Sequence, residues 1–162
     1  SEMCIRDSRK AIGRLATGVS VVTTRVGDID HAMTINSLTS VSLDPVLMLI
    51  SVEREARFFE AVMERGEWAV SLLGASAKPI ASWLATRGRP LHGQLDRVPH
   101  HRGDATGLAL VDDALAEFEC RTVSTLDAGD HTIVVGEVLT LAVGDAPEDA
   151  LTYYRGAFGR LR

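Results

Sequence analysis

Uncharged hydrogen-bonding side chains are concentrated in the stretch HAMTINSLTSVSLDP, from His31 to Pro45. The five that could act together are Thr34, Asn36, Thr39, Ser40 and Ser42. Neutral hydroxyl and amide groups suit a phosphate, usually with one arginine, or the edge of a planar heterocycle with alternating C=O and N–H groups. Arg54 and Arg57 follow in the sequence and are candidates for the arginine. The alternative is that these are ordinary strand residues facing water.

The histidines and acidic residues indicate a catalytic or metal site less clearly than the hydroxyl-rich stretch indicates a ligand site. His131 follows a Gly-Asp turn, where local backbone could satisfy its ring, and Asp130 could orient it. His100 and His101 are adjacent, and neighbouring side chains usually point apart, so no metal site is predicted. The sequence has no G-x-S-x-G elbow, no P-loop and no G-x-G-x-x-G after a strand. A Rossmann-type dinucleotide fold is therefore not supported.

The composition narrows the class of protein. The 162 residues include 46% apolar and 24% charged side chains, with a formal net charge of −5. This balance is usual for one globular domain, and a negative chain is a poor partner for nucleic acid or an anionic membrane. No apolar run approaches the roughly 18 residues of a membrane span. Cys4 and Cys120 are isolated, so we expect a reduced, cytoplasmic protein, with Cys120 in the core.

Helical periodicity is found in three segments that would support these side chains. SRKAIGRLATG predicts a short helix that begins at Ser8 and is ended by Gly18. REARFFEAVMERG, stopped by Gly66, and SAKPIASWLATRG predict two more. Residues 1–8 fit no pattern, and we expect them to be an unstructured or foreign lead-in to a single domain over residues 9–162.

β-Branched and alternating segments predict at least six strands. They are VSVVTTRV, the start of the hydroxyl-rich stretch, VLMLISV, EWAVSLL, ALAEFECRTVSTL and TIVVGEVLTLAV. Turn signals such as GDID and AGDH make hairpin links more frequent than βαβ units. Gly136 predicts a bulge or a close approach, and residues 88–107 have no period and predict a long functional loop. The predicted fold class is mainly β, an antiparallel barrel with peripheral helices.

Four stretches, in this order, resemble the flavin reductase-like family, the short NAD(P)H:flavin oxidoreductases with an FMN-binding split barrel. They are AIGRLATGVSVVTT, MTINSLTSVSLDPVLMLISV, AGDHTIVVGEV and YYRGAFGRL. They cover nearly all of the chain from Arg9 onward. The resemblance implies a six- or more-stranded antiparallel split barrel with peripheral helices.

The resemblance also implies which side chains bind the flavin. The matching positions are Thr34, Asn36, Ser37, Thr39, Ser40, Ser51, Arg57, Ser71, Tyr154 and Arg155. One rigid strand of neutral donors would then hold the isoalloxazine ring, and His131 would be the catalytic residue, near the flavin and the nicotinamide. Tyr153 and Tyr154 could equally be core or subunit-interface aromatics.

Three positions of the implied site depart from the family pattern. Around the phosphate the family commonly reads S-R-T, whereas this chain reads Ala56-Arg57-Phe58 and lacks both hydroxyls. Ser71 stands where the family usually has Asn.

The implied activity is reduction of FMN, or FAD, by NADH or NADPH, with the reduced flavin supplied to a partner monooxygenase. One alternative is a flavoprotein that keeps its flavin and reduces or oxidises another small substrate, with the 88–107 loop shaping the pocket. A second is a non-catalytic flavin-binding module. The resemblance also implies a homodimer with the flavin near the subunit interface.

Overall fold

A computed structural model of the chain describes residues 2–145 and 147–162. The helices are α1 (Glu2–Ile12), α2 (Arg57–Arg65) and α3 (Lys78–Ala85), with a 3-10 turn (Ala75–Ala77) before α3. The strands are β1 (Thr17–Gly18), β2 (Ser20–Val26), β3 (Ile29–Ile35), β4 (Thr39–Leu43), β5 (Val46–Glu53), β6 (Glu67–Leu72), β7 (His100–Arg102), β8 (Ala109–Val111), β9 (Ala116–Ala128), β10 (His131–Val143), β11 (Ala150–Tyr154) and β12 (Ala157–Leu161). The predicted mainly β class with peripheral helices is confirmed.

Seven strands form one antiparallel sheet in the order β3-β2-β6-β9-β10-β5-β4. β3 and β4 therefore lie at opposite edges, although only residues 36–38 separate them in sequence. In a flat sheet these edges would be about 29 Å apart, at about 4.8 Å per strand spacing. The connecting residues can span only about 14 Å. The sheet must curl until its edges approach each other, and this closure produces the split barrel.

The closure corrects the expectation that the hydroxyl-rich stretch is one strand. Thr34 lies on β3, Thr39 and Ser40 lie on β4, and Asn36 and Ser37 lie in the connection. The polar side chains thus line the seam between the two sheet edges, and no single strand carries them all.

The barrel interior is filled by apolar side chains from both halves of the sheet. Trp68, Ile50 and Val134 are fully buried there, and α2 adds Phe58 from outside the sheet. Gly136 is the close-approach point that the sequence predicted, because a Cβ there would lie 2.5 Å from Trp68 Cζ2. The pairing of β9 with β10 also shifts register beside it.

A second apolar cluster packs outside the barrel. Ala81 and Leu84 of α3 meet Val21, Val111 and Leu151, so α3 is held against β2, β8 and β11. β11 belongs to a three-stranded sheet in the order β1-β11-β12, and β7 and β8 form a separate hairpin. This cluster fixes the segment after α3, which forms one wall of the site described below.

The N-terminal helix begins earlier in the chain than the sequence predicts, whereas Cys120 lies where expected. The first helix begins at Glu2 and ends at Ile12, so residues 2–8 are helical and not an unstructured lead-in, and Ser1 lies outside the described residues. Cys120 is a core residue as expected, and burial raises the pKa of its thiol to about 12. Among the described residues, no helix has the length and apolar character needed to cross a membrane.

Candidate functional site

A cavity of about 460 Å³ opens between β3, the junction of β5 with α2, and the segment that follows α3. Its lining includes His31, Ala32, Met33 and Thr34 from β3, Glu53 to Phe58 except Arg54, and Leu84 to Arg89 with Gln94. The cavity is therefore built from one sheet edge, one helix N-terminus and one loop. It is large enough to receive part of a nucleotide-sized ligand.

The β3 wall is held in place by the loop that covers it. Ala32 donates its backbone N–H to Gln94 Oε1 (3.3 Å) and accepts from Arg89 Nη2 at its carbonyl (3.0 Å). Thr34 Oγ1 donates to the carbonyl of Ala81 in α3 (2.7 Å). The edge backbone of β3 is thus satisfied by side chains, and Thr34 keeps only acceptor capacity toward the cavity.

The helix α2 begins at the cavity without a side-chain cap. Its N-cap residue, Ala56, is extended (φ −72°, ψ 141°) and makes no capping hydrogen bond through its side chain. The first N–H groups of a helix need an acceptor, and the helix dipole makes this end attractive to anions. A nine-residue helix that starts at Arg57 therefore presents both backbone donors and a cation to the cavity.

Arg57 and Arg89 bring two guanidinium groups to the same opening. Arg57 Nη2 donates to the carbonyl of Arg89, and no carboxylate lies within ion-pair distance of either arginine in the described part of the chain. Burial, and then the charge of Arg57, lower the pKa of Arg89. Glu53 and Glu55 line the same cavity and partly offset these charges.

His31 is the histidine of this cavity, and its side chain is only 9% exposed. Burial and the charge of Arg57 lower the pKa of its imidazole below the usual value, so the ring is neutral at pH 7. Its ring makes no hydrogen bond to any residue of the described chain. A buried, neutral donor and acceptor is therefore free to bind a ligand.

Only two of the residues predicted for the flavin site line this cavity, Thr34 and Arg57. Ser37 and Ser51 lie next to the seam and bind each other: Ser37 Oγ accepts the N–H of Ser51 and donates to its carbonyl, both at 3.2 Å. Asn36, Thr39 and Ser40 are exposed at the seam, and no described residue hydrogen-bonds to their side chains. Asn36 and Ser37 lie in the β3–β4 connection, Thr39 and Ser40 lie on β4, and Ser51 lies on the neighbouring strand β5.

The predicted catalytic histidine lies at the start of β10. His131 Nδ1 is 2.7 Å from Asp130 Oδ1, and its carbonyl accepts a hydrogen bond from Arg54 Nη1 at 2.5 Å. His131 pairs with Glu53 across the β5–β10 ladder, and Glu53 lines the cavity. The hydrogen bond from His131 lowers the pKa of Asp130, so this carboxylate is charged and can orient the ring as expected.

Three predicted residues lie elsewhere in the fold. Ser71 is buried on β6, where its Oγ accepts the N–H of Val111 (2.9 Å) and links the barrel to the β7–β8 hairpin. Tyr154 and Arg155 lie at the β11–β12 turn, with the Arg155 guanidinium 5.2 Å from the Tyr154 ring centre. The structure of the single chain does not bring these three side chains into the cavity lining.

Sequence reasoning missed several residues of the cavity. His31 opens the hydroxyl-rich stretch but was not selected, and Arg89 and Gln94 belong to the aperiodic 88–107 segment. The length and composition of that segment were the signal, since long loops without secondary structure are often functional. Glu53 and Glu55 gave no signal, because scattered acids usually face solvent.

Comparison with known proteins points to one family. The profile of the flavin reductase like domain matches residues 12–162. The chain is 37% identical over 156 residues to the NADH-dependent FMN reductase AsuE2 of Streptomyces nodosus subsp. asukaensis, covering 95% of this chain and 83% of that protein.

Solved structures show the same relationship. BorF, the flavin reductase component of a bacterial two-component tryptophan halogenase, is 46% identical, with a TM-score of 0.91 over 97% of this chain and 98% of its own. The NADH:FAD oxidoreductase SgcE6 of Streptomyces globisporus C-1027, in complex with NAD and FAD fragments, is 33% identical, with a TM-score of 0.91 over 100% and 95% of the two chains.

Proposed function

Because the chain belongs to the flavin reductase-like domain family, we propose that it is an NADH-dependent flavin reductase that transfers a hydride to FMN or FAD. The observation that carries the proposal is the cavity, which has an anion-attracting helix N-terminus on one wall and Thr34, the β3 member of the polar set, on another. A charged phosphate and a neutral ring edge need these two kinds of surface.

The residues present fit a flavin nucleotide. His31 is buried without a hydrogen-bonding partner in the described chain, and the exposed amide and hydroxyls of Asn36, Thr39 and Ser40 are also unused. Polar side chains without a protein partner are left to bind water or a ligand. Such a distribution supports a phosphate end near Arg57 and a ring end near the seam.

The bound flavin would supply the hydride chemistry, and the chain would supply binding and orientation. The amide and hydroxyl groups at the seam, as fixed dipoles, would stabilise the negative charge that reduction gives a bound flavin ring, without the cost of reorganisation. The stretch from Ala32 to Ser42 has no acidic residue, so it places no carboxylate against the reduced ring. His131, held by Asp130, is our candidate for contact with the nicotinamide.

We also propose that the reduced flavin leaves for a partner enzyme. BorF serves a halogenase in such a two-component system, and the expected partner here is an oxygenase or halogenase that consumes reduced flavin. Loose binding follows from this role, since the flavin must dissociate. The use of NADH further supports a cytoplasmic location. Residues 9–162 would form the single catalytic domain.

A homodimer is the oligomeric state we propose. β10 extends beyond its pairing with β5, and Leu139, Leu141 and Val143 of that extension are exposed by 38%, 53% and 76%. Leu43 of edge strand β4 is 83% exposed. Apolar side chains next to an open sheet edge favour pairing with a second copy.

Steady-state oxidation of NADH and NADPH, with FMN, FAD or no added flavin, tests the proposed activity. We expect a colourless purified protein whose NADH oxidation depends on added flavin. Tightly bound yellow flavin with turnover of another acceptor would favour the prosthetic-flavin alternative. Flavin binding without any NAD(P)H oxidation would favour the non-catalytic module and contradict the proposal.

A further inference from the structure

The phosphate end of the proposed site lacks the hydroxyl donors that the family commonly places on both sides of its arginine. Ala56 and Phe58 occupy those positions here, and Ala56 leaves the start of α2 without a side-chain cap. Arg57 alone would then have to replace two neutral donors. The cavity, however, contains two further side chains that can donate hydrogen bonds from the opposite walls.

His31 supplies the first of these donors, from β3. Its side chain is nine-tenths buried, lines the cavity, and has no hydrogen-bonding partner within the described chain. Thr24 pairs with it across the β2–β3 ladder, so its position is fixed by the sheet and not by a mobile loop. A neutral imidazole placed this way can donate one N–H to an oxygen atom of a ligand.

Arg89 supplies the second, from the loop after α3. Its guanidinium is fixed by hydrogen bonds to the carbonyl of Thr86 (2.9 Å), the carbonyl of Ala32 (3.0 Å) and Gln94 Oε1 (3.4 Å). These use three of its five N–H groups and leave two for a ligand. The group is preorganised, so little side-chain entropy is lost on binding.

The charges of the cavity favour an anion despite its two carboxylates. Arg57, Arg87 and Arg89 outnumber Glu53 and Glu55, and Arg57 and Arg89 are close enough for Arg57 to lower the pKa of Arg89. Neither of these two arginines forms an ion pair with a carboxylate in the described part of the chain, and a phosphate that binds both would stabilise them.

We propose that His31 and Arg89 complete a phosphate-binding site with Arg57 at the N-terminus of α2, in place of the two hydroxyls absent from positions 56 and 58. The inference deepens the proposed function and rests on it for the identity of the ligand. The shared chemistry is a phosphate ester, which either the flavin or the pyrophosphate of the nicotinamide dinucleotide could provide.

Binding of riboflavin, FMN and FAD, measured by fluorescence titration, tests the site, because riboflavin has the same ring and no phosphate. Arg89→Ala should raise the Kd for FMN and FAD by about 10- to 100-fold, and His31→Leu by about 5-fold, with riboflavin unchanged. Arg89→Lys and His31→Gln, which keep a donor, should recover part of the loss. Arg97→Ala, in the same loop and stacked 4.8 Å from Trp83, is the matched control.

A second arm identifies the source of the phosphate. If the KM for NADH rises with riboflavin as acceptor while the Kd for FMN stays constant, the site binds the dinucleotide. Equal weakening of riboflavin and FMN by Arg89→Ala, or no change in any ligand, would overturn the inference. Because riboflavin binding reports a folded ring site, a misfolded variant is recognised directly. A wild-type protein that prefers FMN to riboflavin but oxidises no NADH would retain this site and contradict only the proposed activity.

Discussion

Arg54 and Arg57 are three residues apart and have the same charge, yet their surroundings give them different roles. Arg54 donates to the carbonyls of Gly129 and His131 and stabilises the β9–β10 turn. Arg57 lies at the first position of α2 and faces the cavity. The sequence left both as candidate cations, because the difference arises from strand pairing that brings residue 131 beside residue 53.

Ser71 is a neutral residue whose role also depends on contacts that its local sequence does not show. The resemblance placed it in the flavin site, whereas its hydroxyl is buried and accepts the N–H of Val111 in the single chain. A serine inside a strand can bind a ligand, a neighbouring strand or water, and its local sequence is similar in each case. Only the position of the β7–β8 hairpin distinguishes these options.

The effect of His131 belongs to this residue scale. We expect His131→Ala to lower the rate of flavin reduction by NADH by at least about 10-fold, equivalent to about 1.4 kcal/mol in the barrier, with less effect on flavin binding. The reason is that Asp130 fixes the ring 2.7 Å away, at the start of β10 beside the cavity residue Glu53. Anaerobic stopped-flow absorbance measures the rate, and titration measures the Kd.

His92→Ala is the matched control, since His92 is exposed in the loop and does not line the cavity. Its reduction rate should equal that of the parent. If His131→Ala also reduces flavin at the parental rate, His131 has no part in the reaction.

At the scale of elements, the loops that pack on a sheet face determine which of its side chains are buried. Side chains alternate along β9, so Glu119 and its neighbour Cys120 lie on opposite faces of the sheet, yet Glu119 is only 3% exposed. Residues 103–107 cover it: Thr106 donates to its carboxylate through the backbone N–H (2.8 Å) and Oγ1 (2.6 Å). A period of two shows which face a residue occupies, but not what will pack on that face.

His101 connects the β7–β8 hairpin to β9 and gives a pH-dependent contact between elements. Its Nδ1 is 2.7 Å from Asp112 and its Nε2 is 2.9 Å from Glu117. The hydrogen bond with Asp112 is the largest cause of a raised pKa of the imidazole; burial opposes it, and the hydrogen bond and charge of Glu117 add to the rise. The protonated ring is therefore favoured in the folded state.

The raised pKa of His101 makes the stability of the fold depend on pH. A raised pKa stabilises the fold below the unfolded value of about 6.5, and the contribution is lost as pH rises through the higher folded value. We expect the Tm of the parent to fall relative to His101→Gln between pH 6 and pH 9. The difference should be small, about 2 °C, because solvent screens an exposed ion pair.

Differential scanning fluorimetry across that range measures the difference. His92→Gln provides a control for the loss of a histidine without these partners, and its Tm should run parallel to that of the parent. A parallel curve for His101→Gln would show that the bridge does not contribute to stability.

The sequence predicted the molecule well at the largest scale and less well where distant segments meet. Strand segments and helices came from periodicity and turn residues, and β5, α2 with its Gly66 cap, and β10 lie where expected. Barrel closure, which brings together the edge strands β3 and β4 of one sheet, depends on pairings between residues far apart in sequence. The cavity walls also come from segments far apart in sequence. The sequence alone could therefore not show that Arg89 and His31 line the same cavity.

Association of two copies is the prediction for the whole molecule. Leu141 is 53% exposed on the β10 extension, and Leu141→Glu should convert a dimer into a monomer, because a buried carboxylate without a partner is costly at an interface. Size-exclusion chromatography with light scattering measures the mass. Asp145→Ala, an exposed change beyond the end of the same strand, is the control. A monomeric parent would contradict the proposed dimer, as would a Leu141→Glu variant with the parental mass.

The connection of residues 36–38 has a consequence for how the chain folds. It joins the two ends of the sheet order through a very short loop, so bringing β3 beside β4 costs little loop-closure entropy. The interior ladders β5–β10 and β6–β9, such as Glu53 with His131, close much longer loops and contribute most to contact order. The slow step of folding is therefore expected in the middle of the sheet, and the edge junction beside the cavity should form once the centre is in place.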